Sequence, residues 1–112
     1  MEFIKEIENN RLHLQFEGDL IGENNGPQLV EVVNEALETG IKNCLLDISK
    51  VRYINSSGIG VLITLLTKLR NNEGELFLIN PSEHVSKLLI MTKLQAIFTI
   101  AGSKAEALEK IK

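Results

Sequence analysis

The stretch Asn55-Ser56-Ser57-Gly58-Ile59-Gly60 sets two adjacent hydroxyls and two glycines directly ahead of the apolar-periodic run Val61 to Leu69. Hydroxyls in that setting have three chemical uses: as a nucleophile in catalysis, as a helix cap, or as the acceptor of a phosphoryl group. Nucleophilic catalysis needs a base and a strained elbow. The G-x-S-x-G elbow of a serine hydrolase lacks its leading glycine here. The two histidines, His13 in an alternating segment and His84 near the start of a later helix, lie far apart in the chain. Gly58-Ile59-Gly60 has neither the further glycines nor the Lys-Ser/Thr pair of a phosphate loop, and it is too short for a dinucleotide fingerprint. Two isolated histidines and the single Cys44 make no metal-ligand set. The pattern predicts no enzyme, no metal and no cofactor.

A cap uses one hydroxyl, for about 1 kcal/mol, and the chain supplies two in Ser56 and Ser57. One hydroxyl is therefore spare. A phosphate added to it brings about −1.5 to −2 charges against the positive end of a helix, which the fold tolerates. Helical spacing puts Ser57 in a stripe with Gly60, Val61, Thr64 and Lys68, opposite an apolar face of Ile59, Leu62, Ile63, Leu66 and Leu69. Leu65 falls at the margin. This stripe of small residues is expected to be exposed and open to close approach by another surface. An acidic group on a docked partner ~5 Å from the phosphate meets a penalty of ~3 kcal/mol at an effective dielectric near 20. That lowers affinity about a hundredfold.

The elements that position this stretch follow from periodicity. Phe3, Ile4 and Ile7, then Leu12, Leu14 and Phe16, read as an antiparallel hairpin turned at Asn9-Asn10. Gly18 to Gly26 reads as a loop, Pro27 as the first turn of a helix that runs to Gly40, and Ile41 to Ser49 as a covered central strand. The segment from Asp47 to Ser57 reads as a second loop on the same rim. After the Ser57 helix come a strand over Glu75 to Asn80, a helix opened by Pro81-Ser82, a short edge strand over Ile97 to Ile100, and a last helix capped by Ser103 with Glu106. The order predicts an α/β fold, a small mixed sheet of four to five strands with an antiparallel N-terminal hairpin and about four helices.

Bulk properties narrow the function class. A chain of 112 residues with 44% hydrophobic residues is the size of one domain, expected to span 1–112. A formal charge of −3 gives no basic face for nucleic acid. A lone cysteine in an apolar run reads as a buried, reduced thiol. No leader and no apolar run of ~20 residues is seen, so a cytoplasmic protein without direct membrane insertion is expected.

GDLIGENNGPQL at 18–29, CLLDISKVRYINSSGIGVLITL at 44–65, GELFLINPSEHVSKLL at 74–89 and the later LQAIFTI strongly resemble the STAS domain of bacterial anti-sigma-factor antagonists. The resemblance runs along nearly the whole chain. It implies the STAS fold and an unphosphorylated protein that binds a serine-kinase anti-sigma factor and makes it release its sigma factor. It further implies that the kinase phosphorylates the serine directly before the glycine, Ser57, with Ser56 as second choice, and that a PP2C-type phosphatase restores the active form. The implied partner footprint comprises Asn24 and the segment Asn55, Ser56, Ser57, Gly58, Ile59 and Gly60, with Val61 and Thr64 on the outer helix face. One departure is Asn55, where the family pattern commonly has Asp. The alternative is a STAS interaction subunit of a stress-signalling scaffold or membrane transporter that uses the same rim without phosphate chemistry.

Overall fold

The computed structural model describes residues 2–111, without the side chains of Glu2 and Asn24. Asn9 and Asn10 both adopt left-handed φ, 51° and 63°, which closes the hairpin of β1 (Glu2–Glu8) on β2 (Arg11–Leu20) as their side chains permit. β2 then pairs in parallel with β3 (Asn43–Ile54), β3 with β4 (Glu75–Ile79), and β4 with β5 (Thr99–Ala101). The five strands lie in sequence order, with the antiparallel pair at one edge.

Three helices cover one face: α1 (Gly22–Glu38), α2 (Ser56–Asn71) and α3 (Glu83–Met91). Their Leu29, Val33, Leu62, Leu65, Leu66, Val85 and Leu89 pack on Leu12, Leu14, Phe16, Cys44, Leu46 and Leu78 of the strands. The opposite face carries α4 (Lys104–Lys110), whose Ala107 packs on Leu45, Phe77, Ile79 and Ala101. Strands buried on both faces explain why residues 44–46 and 76–79 read as continuous apolar runs. A short 3-10 turn, Leu94–Ala96, precedes β5.

The edge strand read over Ile97 to Ile100 is observed as Thr99–Ala101, and two further boundaries that differ from the sequence reading shape the rim. α1 starts at Gly22, five residues before Pro27, so the segment read as a loop is strand end and helix. Asn25 makes this possible. Its Oδ1 accepts the Ile21 N–H at 2.8 Å while its own N–H donates to the Ile21 carbonyl at 2.9 Å, a reciprocal closure of the helix start. β3 runs past Ser49, where the sequence reading ended the strand, to Ile54, so residues 50–54 are strand where a loop was expected. Asp47 accordingly sits in mid-strand, its Oδ1 receiving the Ser49 N–H at 2.9 Å. Pairing with β2 holds this extension, through Gly18 with Val51 and Leu20 with Ile54. Gly18 has φ +103°, next to a register shift, a conformation an L side chain resists.

Candidate functional site

Leu20 and Ile54 are register partners at the carboxyl ends of β2 and β3, and each strand runs within two residues into a helix. The first turns of α1 and α2 therefore start side by side. Gly22 and Gly58 permit the contact. A Cβ on Gly22 would collide with the Ser57 carbonyl, and one on Gly58 with the Leu20 carbonyl oxygen.

Asn55 is the N-cap of α2, its Oδ1 accepting the Gly58 N–H at 2.7 Å. This corrects the expectation that a serine caps the helix. The amide oxygen reaches the third N–H of the turn as well as a hydroxyl does, and it leaves Ser56 and Ser57 as the first two helical residues. Ser56 is exposed and Ser57 half-buried. Ser57 Oγ accepts the Gly22 N–H at 3.2 Å and lies 2.7 Å from Glu23 Oε2 and 2.9 Å from Asn55 Oδ1. A hydroxyl has one proton. The charged, nearer Glu23 is the stronger acceptor, and Asn55 Oδ1 already holds an N–H. The Ser57 hydroxyl and, secondarily, backbone donation hold the Glu23 carboxyl below its ordinary value.

The structure rotates the α2 stripe relative to the sequence reading. Gly58, Leu62, Leu65, Leu66 and Leu69 are the buried positions. Leu65, read as marginal, is 0% exposed, whereas Ile63, read as core, is 39% exposed. Val61 is half-buried under α1, where a Cβ on Gly26 would come within 2.8 Å of its Cγ2. The expected open stripe is thus divided. Ser57 and Val61 face α1, while Ser56, Gly60, Ile63 and Thr64 stay exposed and Ile59 lies between. Nothing stands within 4 Å of where a Gly60 Cβ would be, and the Thr64 hydroxyl donates back to the Gly60 carbonyl at 2.9 Å. Asn24 belongs to the first turn of α1 by its backbone, and its side chain, a predicted contact, lies outside the described residues.

The STAS domain family matches residues 2–107. The chain belongs to that family. It is similar to the TM1081 homologue of Thermotoga neapolitana, an anti-sigma factor antagonist by name, at 34% identity over 80 residues that cover 71% of each chain. It is also similar to the crystal structure of TM1081 of Thermotoga maritima, with a TM-score of 0.83 at 26% identity over 97% of this chain and 93% of that one. At the level of fold it is similar to the phosphorylated form of the Bacillus cell fate determinant SpoIIAA, with a TM-score of 0.76 at 18% identity over 99% of this chain and 100% of that one.

Within this STAS domain, two residues escaped the sequence reading. Glu23 reaches Ser57 across 34 positions, a pairing that no local spacing signals. Arg52 forms a two-pronged ion pair with Asp19 at 2.9 and 3.1 Å, which holds the Asp19 carboxyl below its ordinary value. Beside it, the rings of Tyr53 and His84 stack at 6.4 Å, extending the rim towards α3. Among the described residues no group of three or more His, Cys, Asp or Glu is placed to hold a metal ion, and no helix is long and apolar enough to cross a membrane.

Proposed function

We propose that this STAS domain is a non-enzymatic, cytoplasmic partner switch. Unphosphorylated, it docks the rim around Asn55 to Gly60 and the exposed side of α2 onto a serine-kinase anti-sigma factor, which then releases its sigma factor. Phosphorylation of Ser57 ends the contact, and a PP2C-type phosphatase restores it. The observation that carries this reading is the placement of the Ser57 hydroxyl at the head of α2, uncommitted to capping and beside an exposed face of small residues. Relatives named as anti-sigma factor antagonists support it, as does a fold neighbour solved in a phosphorylated form. Incubation with an anti-sigma serine kinase and ATP is expected to add one phosphate to the wild type and none to Ser57→Ala. Ser57→Asp is expected to fold and bind the kinase poorly. Labelling that persists in Ser57→Ala, with Ser56 intact, refutes the site.

A specific observation favours the alternative of a scaffold or transporter subunit without phosphate chemistry: Ser57 Oγ is tied within the chain to Gly22, Glu23 and Asn55. A rim that binds its partner equally well as Ser57→Asp would decide for that reading.

A further inference from the structure

Of the three groups around Ser57 Oγ, only Glu23 depends on the serine being unmodified. The Gly22 N–H donates to an oxygen that remains an oxygen when esterified, and Asn55 Oδ1 keeps the Gly58 N–H whatever happens next to it. Glu23 Oε2, 2.7 Å from Oγ, is held by the hydroxyl proton, and an ester oxygen has none. The same modification sets two negative charges beside a third. Both changes push the carboxylate outward, and its side chain is exposed and free to turn. Glu23 belongs to the first turn of α1, the turn that Gly22 lays against Ser57. Its displacement therefore alters the docking rim at a second place, away from the phosphate.

We propose that Glu23 reads the modification state of Ser57: the carboxylate lies on the hydroxyl in the unmodified domain and is expelled onto the rim by a phosphate at Ser57. This rests on the reading of Ser57 as phosphoacceptor. The unmodified rim carries one carboxylate at this point, tied to the hydroxyl, and the modified rim carries two separated anionic groups. A partner is then rejected by Glu23 as well as by the phosphate.

The test needs no kinase. Phosphoserine is installed at position 57 during translation in 13C-labelled protein, and the δ-carboxyl resonance of Glu23, assigned with Glu23→Gln, is followed across pH. The Glu23 titration midpoint is expected to rise from unmodified protein to Ser57→Ala, which removes the donor to Glu23 together with the acceptor of the Gly22 N–H. It is expected to rise again in the phosphoserine form, which adds the opposing charge. Phosphatase treatment of that same sample should return it to the unmodified midpoint, a control that holds even where Ser57→Ala folds poorly. A midpoint unchanged by phosphoserine overturns the proposal, as does one equal to that of Ser57→Ala. Failure of a kinase to label Ser57 would remove the function proposed above and leave this titration intact. A flat titration with normal kinase labelling would remove Glu23 alone.

Discussion

Gly58 and Gly60 lie two residues apart in the first two turns of α2, and replacing each by alanine is expected to move stability in opposite directions. Helix propensity treats them alike: alanine is better than glycine by about 1 kcal/mol in a helix interior. Neither has a positive φ to penalise a side chain. The surroundings separate them. A Cβ at Gly60 meets nothing within 4 Å, so Gly60→Ala should keep the full propensity gain, about 1 kcal/mol. A Cβ at Gly58 runs into the Leu20 carbonyl oxygen and comes within 3.1 Å of Ile54 Cγ2 and 3.2 Å of the Leu20 carbonyl carbon. The obstacle is the backbone of β2, which cannot yield without moving a strand end. Relief requires α2 to lift away. Overpacking of this kind costs about 1–3 kcal/mol, and the lift also strains the Asn55 cap, worth about 1 kcal/mol. These losses exceed the propensity gain, and Gly58→Ala is expected to be destabilised by about 1–3 kcal/mol net. Urea unfolding at constant m-value measures both, and each kcal/mol should shift the melting temperature by about 4 °C for a chain of this size. Gly58→Ala as stable as Gly60→Ala would refute the claim that the two helix starts touch the two strand ends. Gly60→Ala should in addition weaken partner binding while raising stability, a combination that loss of folding cannot produce.

Leu65→Ala is expected to cost about 2–5 kcal/mol in urea unfolding because the side chain is fully buried; a loss below about 1 kcal/mol would restore the marginal position read from the sequence. The Cys44 thiol, fully buried and with its pKa pushed up to about 12, should resist aromatic disulfide reagents at pH 8 until denaturant is added. Rapid stoichiometric reaction of the folded protein would contradict that burial. Asp19 and Glu23 both have lowered folded pKa values, so the stability they give is present above their ordinary values of 3.8 and 4.5 and drains away as pH falls through the folded ones. The urea midpoint should therefore fall less steeply below pH 4.5 in Arg52→Ala/Ser57→Ala than in the wild type; equal slopes would mean that neither partner holds its carboxylate.

Local signals wrote most of the fold. Asn9-Asn10 specified a turn because few other residues accept two successive left-handed conformations, and the alternation of Leu12, Leu14 and Phe16 specified which face of β2 is buried. The apolar runs of β3 and β4 announced strands covered on both sides. Readings failed where a distant partner decides the conformation. Residues 50–54 mix polar and apolar types without a clear run and extend because β2 pairs with them. Gly22 to Gly26 looks like a loop by composition and is helical because Asn25 closes on Ile21 and α2 supplies a surface at Ser57 and Val61. The Ser-Ser pair announced a helix start, and Asn55, one residue earlier, took the cap: its extended backbone sets the amide oxygen 2.7 Å from the Gly58 N–H, the third of the helix.

The same long-range contact that hid the site from local reading also determines what the site can do. A serine at a bare helix start would respond to phosphate only through the charge it gains. In this domain the Ser57 oxygen also joins two helices, since it accepts from Gly22 and donates to Glu23, both in the first turn of α1. Modification removes the donation and leaves the acceptance. α1 therefore keeps one tie to α2 and loses the other, so its start is retained while its acidic side chain is released. A partner that reads shape alone would notice little, because Gly22 still fixes the helix start against Ser57. A partner that reads charge meets a rearranged field over the whole first turn of α1. The switch is thus expected to be electrostatic and salt-sensitive: raising ionic strength towards 1 M, where the Debye length shrinks to about 3 Å, should narrow the affinity gap between Ser57 and phospho-Ser57 forms. A gap that persists unchanged at high salt would place the discrimination in shape, and would require a backbone movement of α1 that the Gly22 contact resists.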